Sequence, residues 1–365
     1  MNITPWACRI AAVIALLPGI AGAQAPALAA RLHERIAKEV QSQSIVGLAA
    51  AVGVGDKMVF SESFGFEDRE QGIAASAQTM YRWASVSKPM TAVVVVQLAN
   101  EKKLDLDADV RVLVPEFPEK PWPVTCRQLL CHQGGVVHYS NGKVIKTERT
   151  YTEPHPFADV VLALDYFKES PLLSEPGTKY SYTTHGYMLL GAAAERAGKE
   201  RFADEVKKRI AEPCGMKTLR PDYQWEAIGH RAVGYHKGNG GKMEKSTDTD
   251  VSWKLAGGGW ISTCDDMARF GMGMMTERVV DEPTKALMWT AQKTKDGTAT
   301  GYGLGFGVGM VDGKRAVSHS GSQEKTATYL LLLPDEKVCV ALMCNTEGTS
   351  LGKLGEELAK MVGGK

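Results

Sequence analysis

Residues 46–64 read VGLAAAVGVGDKMVFSESF, and this stretch predicts the centre of the fold. Small and β-branched residues run from Val46 to Val54, the pair Gly55-Asp56 follows, and KMVFSESF completes the segment. A glycine-containing pair between two such runs is typical of a β-hairpin with a tight turn. The segment is therefore expected to supply two neighbouring antiparallel strands.

Sequence patterns at both chain ends extend this hairpin into a larger sheet. Residues 28–43 place an apolar side chain at every fourth position, which is typical of an amphipathic helix. Near the other end, the strand patterns YGLGFGVGMV, KRAVSH, TATYLLLL and KVCVALMC precede a helical pattern over about 352–363. This distribution predicts an α+β fold with one antiparallel sheet, built from both chain ends and flanked by helices.

The region between the two ends is predicted to form an inserted, mostly helical domain. Candidate helices lie at 89–104, 158–169, 187–197 and 201–212. The sheet domain would then comprise residues 28–88 and 255–365, and the helical domain residues 89–254.

The first 23 residues have the pattern of a secretory signal peptide. Arg9 precedes an apolar run over 10–23 that ends in Ala21-Gly22-Ala23, so cleavage is expected after Ala23. The mature protein would then be periplasmic or secreted, with no stable membrane span. An uncleaved N-terminal anchor is the alternative, although the run is short and contains Pro18.

The overall composition excludes several classes of protein. The chain has 365 residues, of which 44% are hydrophobic and 23% charged, as in an ordinary globular protein. Lys and Arg number 43 against 42 Asp and Glu, a balance that indicates no nucleic-acid partner. The eight His residues form no HExxH pattern, so neither a catalytic metal nor a cofactor is predicted.

Cysteine usage leaves disulfides open but does not favour them. Six cysteines follow the predicted signal peptide, and an even number in an exported protein permits disulfides. The apolar surroundings of several, such as Cys339 and Cys344 in VCVALMC, instead favour buried free thiols.

Four Ser-x-x-Lys patterns compete for the role of a nucleophile with its base. They are Ser85-Lys88, Ser140-Lys143, Ser322-Lys325 and Ser350-Lys353. Only Ser85 is followed by a long apolar stretch, KPMTAVVVVQLA, which predicts a buried helix. A lysine one helical turn after a serine can serve as its base, and the helix N-terminus favours negative charge there. A helix cap followed by a surface lysine is the structural alternative.

Two other motifs suggest different sites. The sequence Gly348-Thr349-Ser350-Leu351-Gly352 matches the nucleophile motif of α/β-hydrolases, but no His follows residue 319, so the required order of residues fails. A Tyr-x-Asn element often accompanies Ser-Lys enzymes. Tyr-Ser-Asn at 139–141 matches this element at both defined positions. Tyr182-Thr183-Thr184 lacks the Asn, but its flanking sequence, PGTKYSYTTHGYMLLG, is typical of the segment that carries the element.

Five sequence blocks in a fixed order carry a resemblance to a known family. They are RWASVSKPMTA, LLCHQGG, EPGTKYSYTTHGY, AGGGWISTCDDMARF and VSHSGS. The chain resembles the serine beta-lactamase-like hydrolases, which include class C beta-lactamases, D-Ala-D-Ala carboxypeptidases and esterases, over about 45–350. Two longer stretches, LDADVRVLVPEFPEKPWPVTCRQLLCHQGGVVHY and DVSWKLAGGGWISTCDDMARFG, are similar to the mitochondrial members. The resemblance places the family's catalytic Tyr at Tyr182 and puts Tyr139 in a loop.

The resemblance implies a Ser-Lys-Tyr mechanism with an acyl-enzyme. The catalytic residues would be Ser85 as nucleophile, Lys88 as base, Tyr182 as proton relay, and His319. His319 would hydrogen-bond Tyr182 or a substrate carboxylate. The backbone amides of Ser85 and Ser322 would form the oxyanion hole. Substrate contacts would come from Thr184, Ser320 and Gly321.

Two departures from the family pattern bear on the substrate. Thr184 stands where beta-lactamases have Asn, and His319-Ser320-Gly321 stands where class C enzymes have Lys-Thr-Gly. Both favour a peptidase-like or esterase-like hydrolase acting on an amide or ester bond of a small molecule or peptide. A true class C-type beta-lactamase and a weakly catalytic penicillin-binding-type protein are the alternatives.

Overall fold

A computed structural model describes residues 24–363 of the chain. Its strands are β1 Gly47–Val54, β2 Lys57–Asp68, β3 Ile73–Ala74, β4 Tyr81–Arg82, β5 Arg220–Pro221, β6 Tyr235–Lys237, β7 Met243–Lys245, β8 Trp260–Ser262, β9 Gly307–Val311, β10 Lys314–Gln323, β11 Thr326–Leu333 and β12 Val338–Cys344. Its α-helices are α1 Gln24–Gln43, α2 Ser87–Asn100, α3 Cys126–Leu130, α4 Thr184–Gly198, α5 Phe202–Val206, α6 Glu212–Cys214, α7 Leu255–Gly258, α8 Cys264–Met274, α9 Glu282–Met288 and α10 Gly352–Gly363. The predicted signal peptide, residues 1–23, lies outside the described residues.

Seven strands form one antiparallel sheet in the order β3-β2-β1-β12-β11-β10-β9. The predicted hairpin is β1 with β2, and β1 pairs on its other side with β12, so that Ala50 lies between Glu62 and Leu342. Strands from the N-terminal and the C-terminal parts of the chain, β1 and β12, therefore pair with each other at the middle of the sheet. This arrangement confirms the α+β fold expected from the sequence.

Helices cover both faces of this sheet because the central strands are apolar on both sides. Leu48, Ala50 and Val52 of β1 belong to a core shared with α1 and α10. Ala49 and Ala51 point the other way, into the larger core that contains α2, α4 and α8. This alternation follows from the two-residue period of a strand, and burial of apolar area on both faces stabilises the layers.

Helix α2 is the central element of the larger core. Its apolar residues point in every direction, which is typical of a helix buried on all sides. Helices α4 and α7 pack against it. The buried position of α2 explains how a lysine near its start becomes enclosed by protein.

The stretch between α2 and α4 is less helical than the sequence suggested. Residues 101–183 contain only α3 and several 3₁₀ turns, and the predicted helix at 158–169 is wrong. The carboxylate of Asp159 accepts hydrogen bonds from the amides of Val161 and Leu162, at 2.8 and 3.1 Å. Such local side-chain bonds compete with the helical backbone pattern. The division at residues 89 and 254 stays a prediction.

Three further findings concern the cysteines, the helix lengths and the metal-binding residue types of the described residues. The cysteines of residues 24–363 are all buried and unpaired, as the sequence favoured. Burial raises the pKa of Cys126 and of Cys131 to about 12, so neither thiol is reactive at neutral pH. Within the same range, no helix is long and apolar enough to cross a membrane, and no cluster of His, Cys, Asp or Glu could hold a metal ion.

Candidate active site

Ser85 lies in a 3₁₀ turn, Ala84–Val86, directly before α2. Ala84 has a φ of 47°, in the left-handed region that costs free energy for a residue with a Cβ. Neighbouring groups hold this conformation: the Trp83 carbonyl accepts from Thr328 Oγ1 at 2.9 Å, and the Trp83 indole donates to Ser262 Oγ at 2.6 Å. Ser85 is therefore fixed at the N-terminal end of a buried helix and remains half-buried.

Lys88 is completely buried, with its Nζ surrounded by three oxygen atoms. Nζ lies 3.0 Å from Ser85 Oγ, 3.2 Å from Thr184 Oγ1 and 2.8 Å from the Gly257 carbonyl oxygen. The three-residue spacing places Ser85 and Lys88 side by side, and the other two contacts come from α4 and α7. The structure thus brings together the pair singled out in the sequence.

The surroundings of Lys88 favour its neutral form. Burial lowers the pKa of Lys88 well below its ordinary value, and the nearby charge of Lys254 lowers this pKa further. A neutral amine can donate its two hydrogens to the Thr184 hydroxyl and the Gly257 carbonyl. Its lone pair then faces the Ser85 hydroxyl, which is the arrangement a general base requires.

Lys254 is the neighbouring cation, and sequence reasoning did not single it out. It lies just before α7 and is only 7% exposed, and burial lowers its pKa to about 8. A lysine inside the apolar run WKLAGGG was the signal available in the sequence.

Tyr182 completes the group around Ser85. Its ring centroid lies 4.9 Å from Lys88 Nζ. Burial raises the pKa of Tyr182, and a hydrogen bond with Ser85 only partly offsets this rise. The phenol is therefore protonated at neutral pH, and its hydroxyl is positioned to exchange a proton with Ser85.

Two buried histidines hold the segment that carries Tyr182. Nδ1 of His132 accepts from the amide of Thr183, and Nδ1 of His138 accepts from the amide of Thr184, both at 3.2 Å. Burial lowers the pKa of both rings, that of His138 to about 4, so each stays a neutral acceptor. The sequence assigned His132 to a turn, and its φ of 58° fits that role, whereas His138 was missed.

The partners of His319 differ from those expected. Its Nε2 lies 2.9 Å from the hydroxyl of Tyr302, whereas its ring centroid is 6.3 Å from that of Tyr182. Of the two expected partners, Tyr182 or a substrate carboxylate, Tyr182 does not hydrogen-bond His319 in the structure, because Tyr302, in the loop before β9, reaches Nε2. The substrate carboxylate stays a prediction. Burial is the main cause that lowers the pKa of His319 to about 3.

The environment of Thr184 also differs from that expected for a substrate-binding residue. Its side chain is 2% exposed, and its hydroxyl contacts Lys88. It therefore helps to position the Lys88 amine and offers little surface to a substrate. Tyr139, which the sequence left in a loop, is 55% exposed and hydrogen-bonds Thr184, so it lies at the mouth of the site.

Strand β10 passes close to the turn that carries Ser85. A Cβ at Gly321 would lie 2.7 Å from the Trp83 carbonyl oxygen and 2.2 Å from Thr328 Oγ1, so only glycine permits this approach. Ser320 and Ser322, on either side of Gly321, are exposed. The pairing of β10 with β9 ends at Ser318, which leaves residues 319–323 without a strand on that side.

The competing serine motifs lie in exposed positions. Ser350 is exposed, and both its amide and its carbonyl bond the side chain of Gln43. Ser140 and Lys143 are exposed as well. Neither pattern has the buried lysine found beside Ser85. In the third competing pattern, Ser322-Lys325, the lysine is buried, but its Nζ pairs with Asp248 and not with the serine.

A family model described as Beta-lactamase matches residues 32–360. The chain belongs to the beta-lactamase family of serine hydrolases. This match confirms the resemblance found in the sequence. Relatives in this family include the serine beta-lactamase-like protein LACTB, mitochondrial, of Mus musculus and of Homo sapiens, each 27% identical over 90% of this chain and 78% of the relative.

Solved structures share the same beta-lactamase fold. The octameric penicillin-binding protein homologue from Pyrococcus abyssi has a TM-score of 0.79 and 22% identity over 92% of this chain and 77% of the other. EstCE1, a hydrolase with promiscuous acyltransferase activity, has a TM-score of 0.74 and 19% identity over 93% and 100%. A D-stereospecific amidohydrolase from Streptomyces sp. has a TM-score of 0.73 and 20% identity over 92% and 99%.

Proposed function

We propose that the protein hydrolyses an amide or ester bond through an acyl-enzyme on Ser85. The observation that carries this proposal is the contact of 3.0 Å between Ser85 Oγ and Lys88 Nζ, whose other two neighbours are the Thr184 hydroxyl and the Gly257 carbonyl. A serine hydroxyl needs such a base to attack a carbonyl at neutral pH.

The proposed reaction begins with transfer of the Ser85 proton to Lys88 as Oγ bonds to the substrate carbonyl carbon. The carbonyl oxygen becomes an oxyanion, which the backbone amides of Ser85 and Ser322 stabilise. Lys88 passes the proton through Tyr182 to the leaving group, the bond to that group breaks, and the acyl-enzyme remains. Water then attacks the ester carbonyl carbon and gives a proton to the same base. The base passes this proton to Ser85 Oγ as the bond between Oγ and the acyl carbon breaks, so the acid and the free serine are released.

The proposed substrates are small esters or peptides in preference to beta-lactam antibiotics. His319 is held neutral by burial, so the end of β10 carries no cation for a substrate carboxylate at neutral pH. The names of EstCE1 and of the Streptomyces amidohydrolase indicate ester and amide chemistry on this fold.

Labelling with a fluorophosphonate followed by peptide mass mapping tests the proposal. We expect the tag on Ser85 and its loss in Lys88→Met, which keeps the length of the side chain but removes the amine. Hydrolysis of 4-nitrophenyl hexanoate should fall by at least about a hundredfold in the same variant. A tag on Ser350 would contradict the assignment of the site, and no tag would favour a weakly catalytic penicillin-binding-type protein.

Export to the periplasm or medium is the second part of the proposal. It rests on the signal-peptide pattern of residues 1–23, with its Ala21-Gly22-Ala23 ending. Sequencing the N-terminus of the protein made in a Gram-negative host should give Gln24 as the first residue. A protein that keeps residues 1–23 would contradict cleavage.

A further inference from the structure

The ammonium group of Lys254 is nearly buried and has no close partner. The residue is 7% exposed, its Nζ keeps some contact with solvent, and no protein group of residues 24–363 lies within hydrogen-bond distance of Nζ. Its nearest carboxylate oxygen is Glu324 Oε2, at 3.9 Å, and the Glu324 side chain is 49% exposed. Removing an ammonium from water is costly unless a partner compensates.

Neighbouring cations differ from Lys254 because each has its partners within the protein. Arg82 lies 2.5 Å from Asp222 and also donates to the Thr249 carbonyl. Lys325 forms an ion pair with Asp248. Lys254, by contrast, has only the more distant Glu324 carboxylate as a charged partner among the described residues.

Two contacts place Lys254 at the edge of the catalytic cleft. It precedes α7 by one residue, and the Gly257 carbonyl of α7 contacts Lys88 at 2.8 Å. Glu324 follows Gln323, whose Nε2 donates to the Gly258 carbonyl at 3.1 Å. Lys254 and Glu324 therefore face each other from α7 and from the end of β10, the two elements that border Ser85.

Lys254 and His319 have different neighbours around the cleft. Tyr182, which the proposed mechanism assigns to the leaving group, lies with His319 and Tyr302. Lys254 instead adjoins Glu324 and the Trp253 ring, at 5.6 Å from that ring's centroid. If the leaving group occupies the neighbourhood of Tyr182, the neighbourhood of Lys254 is left for the acyl part of a substrate attached to Ser85.

We propose that Lys254 binds a carboxylate on the acyl part of the substrate, so that preferred acyl donors carry a negative charge several atoms from the reacting carbonyl. The inference rests on the proposed acyl-enzyme function. The incoming carboxylate takes the place of Glu324, which is exposed enough to turn toward water. A carboxylate offers the acceptor oxygens that the Lys254 ammonium lacks.

Two esters with acyl chains of equal length test this inference. Mono-4-nitrophenyl adipate and 4-nitrophenyl hexanoate differ in their acyl chain only by a terminal carboxylate in place of a methyl group. We expect Lys254→Met to lower the ratio of their kcat/KM values, adipate to hexanoate, by roughly tenfold or more. The ratio removes any effect of Lys254 on Lys88, because that effect applies equally to both esters.

Lys146→Met is the matched control for general electrostatic attraction. Lys146 lies 4.5 Å from the ring of Tyr166, which stacks on Trp253, but it is exposed outside the cleft. We expect this variant to keep the wild-type ratio. If Lys146→Met lowers the ratio of adipate to hexanoate kcat/KM as much as Lys254→Met does, the preference comes from the overall positive charge and the inference is overturned.

Glu324→Gln provides a second test at an exposed position that does not endanger folding. It removes the competing carboxylate, so the ratio of adipate to hexanoate turnover should rise. A ratio that neither Lys254→Met nor Glu324→Gln changes would overturn the inference while leaving the proposed function intact. Absence of Ser85-dependent turnover of the hexanoate ester would instead contradict the proposed function itself.

Discussion

The hydroxyl of Tyr302 donates a hydrogen bond to Nε2 of His319 across 2.9 Å. Nδ1 of the same ring lies 2.6 Å from the Ser320 carbonyl oxygen, which can only accept, so Nδ1 carries the proton. Both ring nitrogens are thus occupied within the protein. His319 acts as a neutral link between β10 and the loop that carries Tyr302, and the shape of the site depends on this link.

Tyr302→Phe should destabilise the protein because it leaves the buried Nε2 of His319 without a donor. The expected loss is about 1–3 kcal/mol in the free energy of unfolding, measured by urea titration. Tyr180→Phe is a suitable control, since Tyr180 belongs to the same aromatic group but is 40% exposed. If Tyr302→Phe and Tyr180→Phe have the same free energy of unfolding, the hydrogen bond from Tyr302 to His319 does not stabilise the protein.

Thr184→Val should reduce turnover because it removes one of the oxygen atoms around Lys88 without changing the size of the side chain. The buried amine then loses an acceptor, and we expect kcat for 4-nitrophenyl hexanoate to fall by roughly tenfold. Thr184→Ser keeps the hydroxyl and should keep most of the activity. Equal activity in both variants would show that the contact does not position the base.

Lys254→Met should move the acid limb of the pH–rate profile for the hexanoate ester to higher pH. The charge of Lys254 lowers the pKa of Lys88, so its removal raises that pKa. The proposed mechanism needs Lys88 in its neutral form, so activity would then appear at higher pH than in the wild type. The profile of Lys146→Met should match the wild type, and an unmoved limb in Lys254→Met would contradict the coupling of the two lysines.

Local patterns in the sequence were enough to predict the sheet and to identify Ser85 and Lys88 at the start of α2. The hairpin follows from two short runs and a turn, and Ser85 lies beside Lys88 because one helical turn separates them. Tyr302, Lys254 and His138 were missed because their roles arise from contacts between distant parts of the chain.

The predicted contact of His319 with Tyr182 shows the same limit. Both residues do lie near the site, but the hydrogen bond goes to Tyr302, which no motif marks. The predicted role of Thr184 in substrate binding depended on a position shared with the family's Asn, whereas its burial against Lys88 depends on how α4 packs on α2. Side-chain partners in a packed core cannot be derived from residue spacing alone.

Buried histidines should make the protein lose stability as the pH falls from neutral. Burial lowers the pKa of His138 and of His185 to about 4, against about 6.5 in an unfolded chain. Between these values the unfolded state binds protons that the folded state does not, so the free energy of unfolding decreases with falling pH. Urea titrations at several pH values should show this slope.

His138→Asn should make that slope shallower, because it removes one of the four buried rings whose pKa lies below its ordinary value, those of His132, His138, His185 and His319. The Asn side chain can still accept from the Thr184 amide. The comparison with the wild type at each pH isolates the contribution of His138. A variant with the wild-type slope would show that His138 does not titrate in this range.

Gly321→Ala should impair both stability and turnover by pushing β10 away from the turn that carries Ser85. The added Cβ would lie 2.7 Å from the Trp83 carbonyl oxygen and 2.2 Å from Thr328 Oγ1, which is too close without movement of the backbone. The amide of Ser322 would move with the strand, so kcat for the hexanoate ester should fall by roughly a hundredfold, as when an oxyanion-hole donor is lost.

Gly309→Ala is the matched control, since a Cβ at this exposed position of β9 meets no atom within 4 Å. It should keep the wild-type kcat. If Gly321→Ala folds and also keeps that kcat, the oxyanion does not depend on the approach of β10, and the second donor must come from an element other than Ser322.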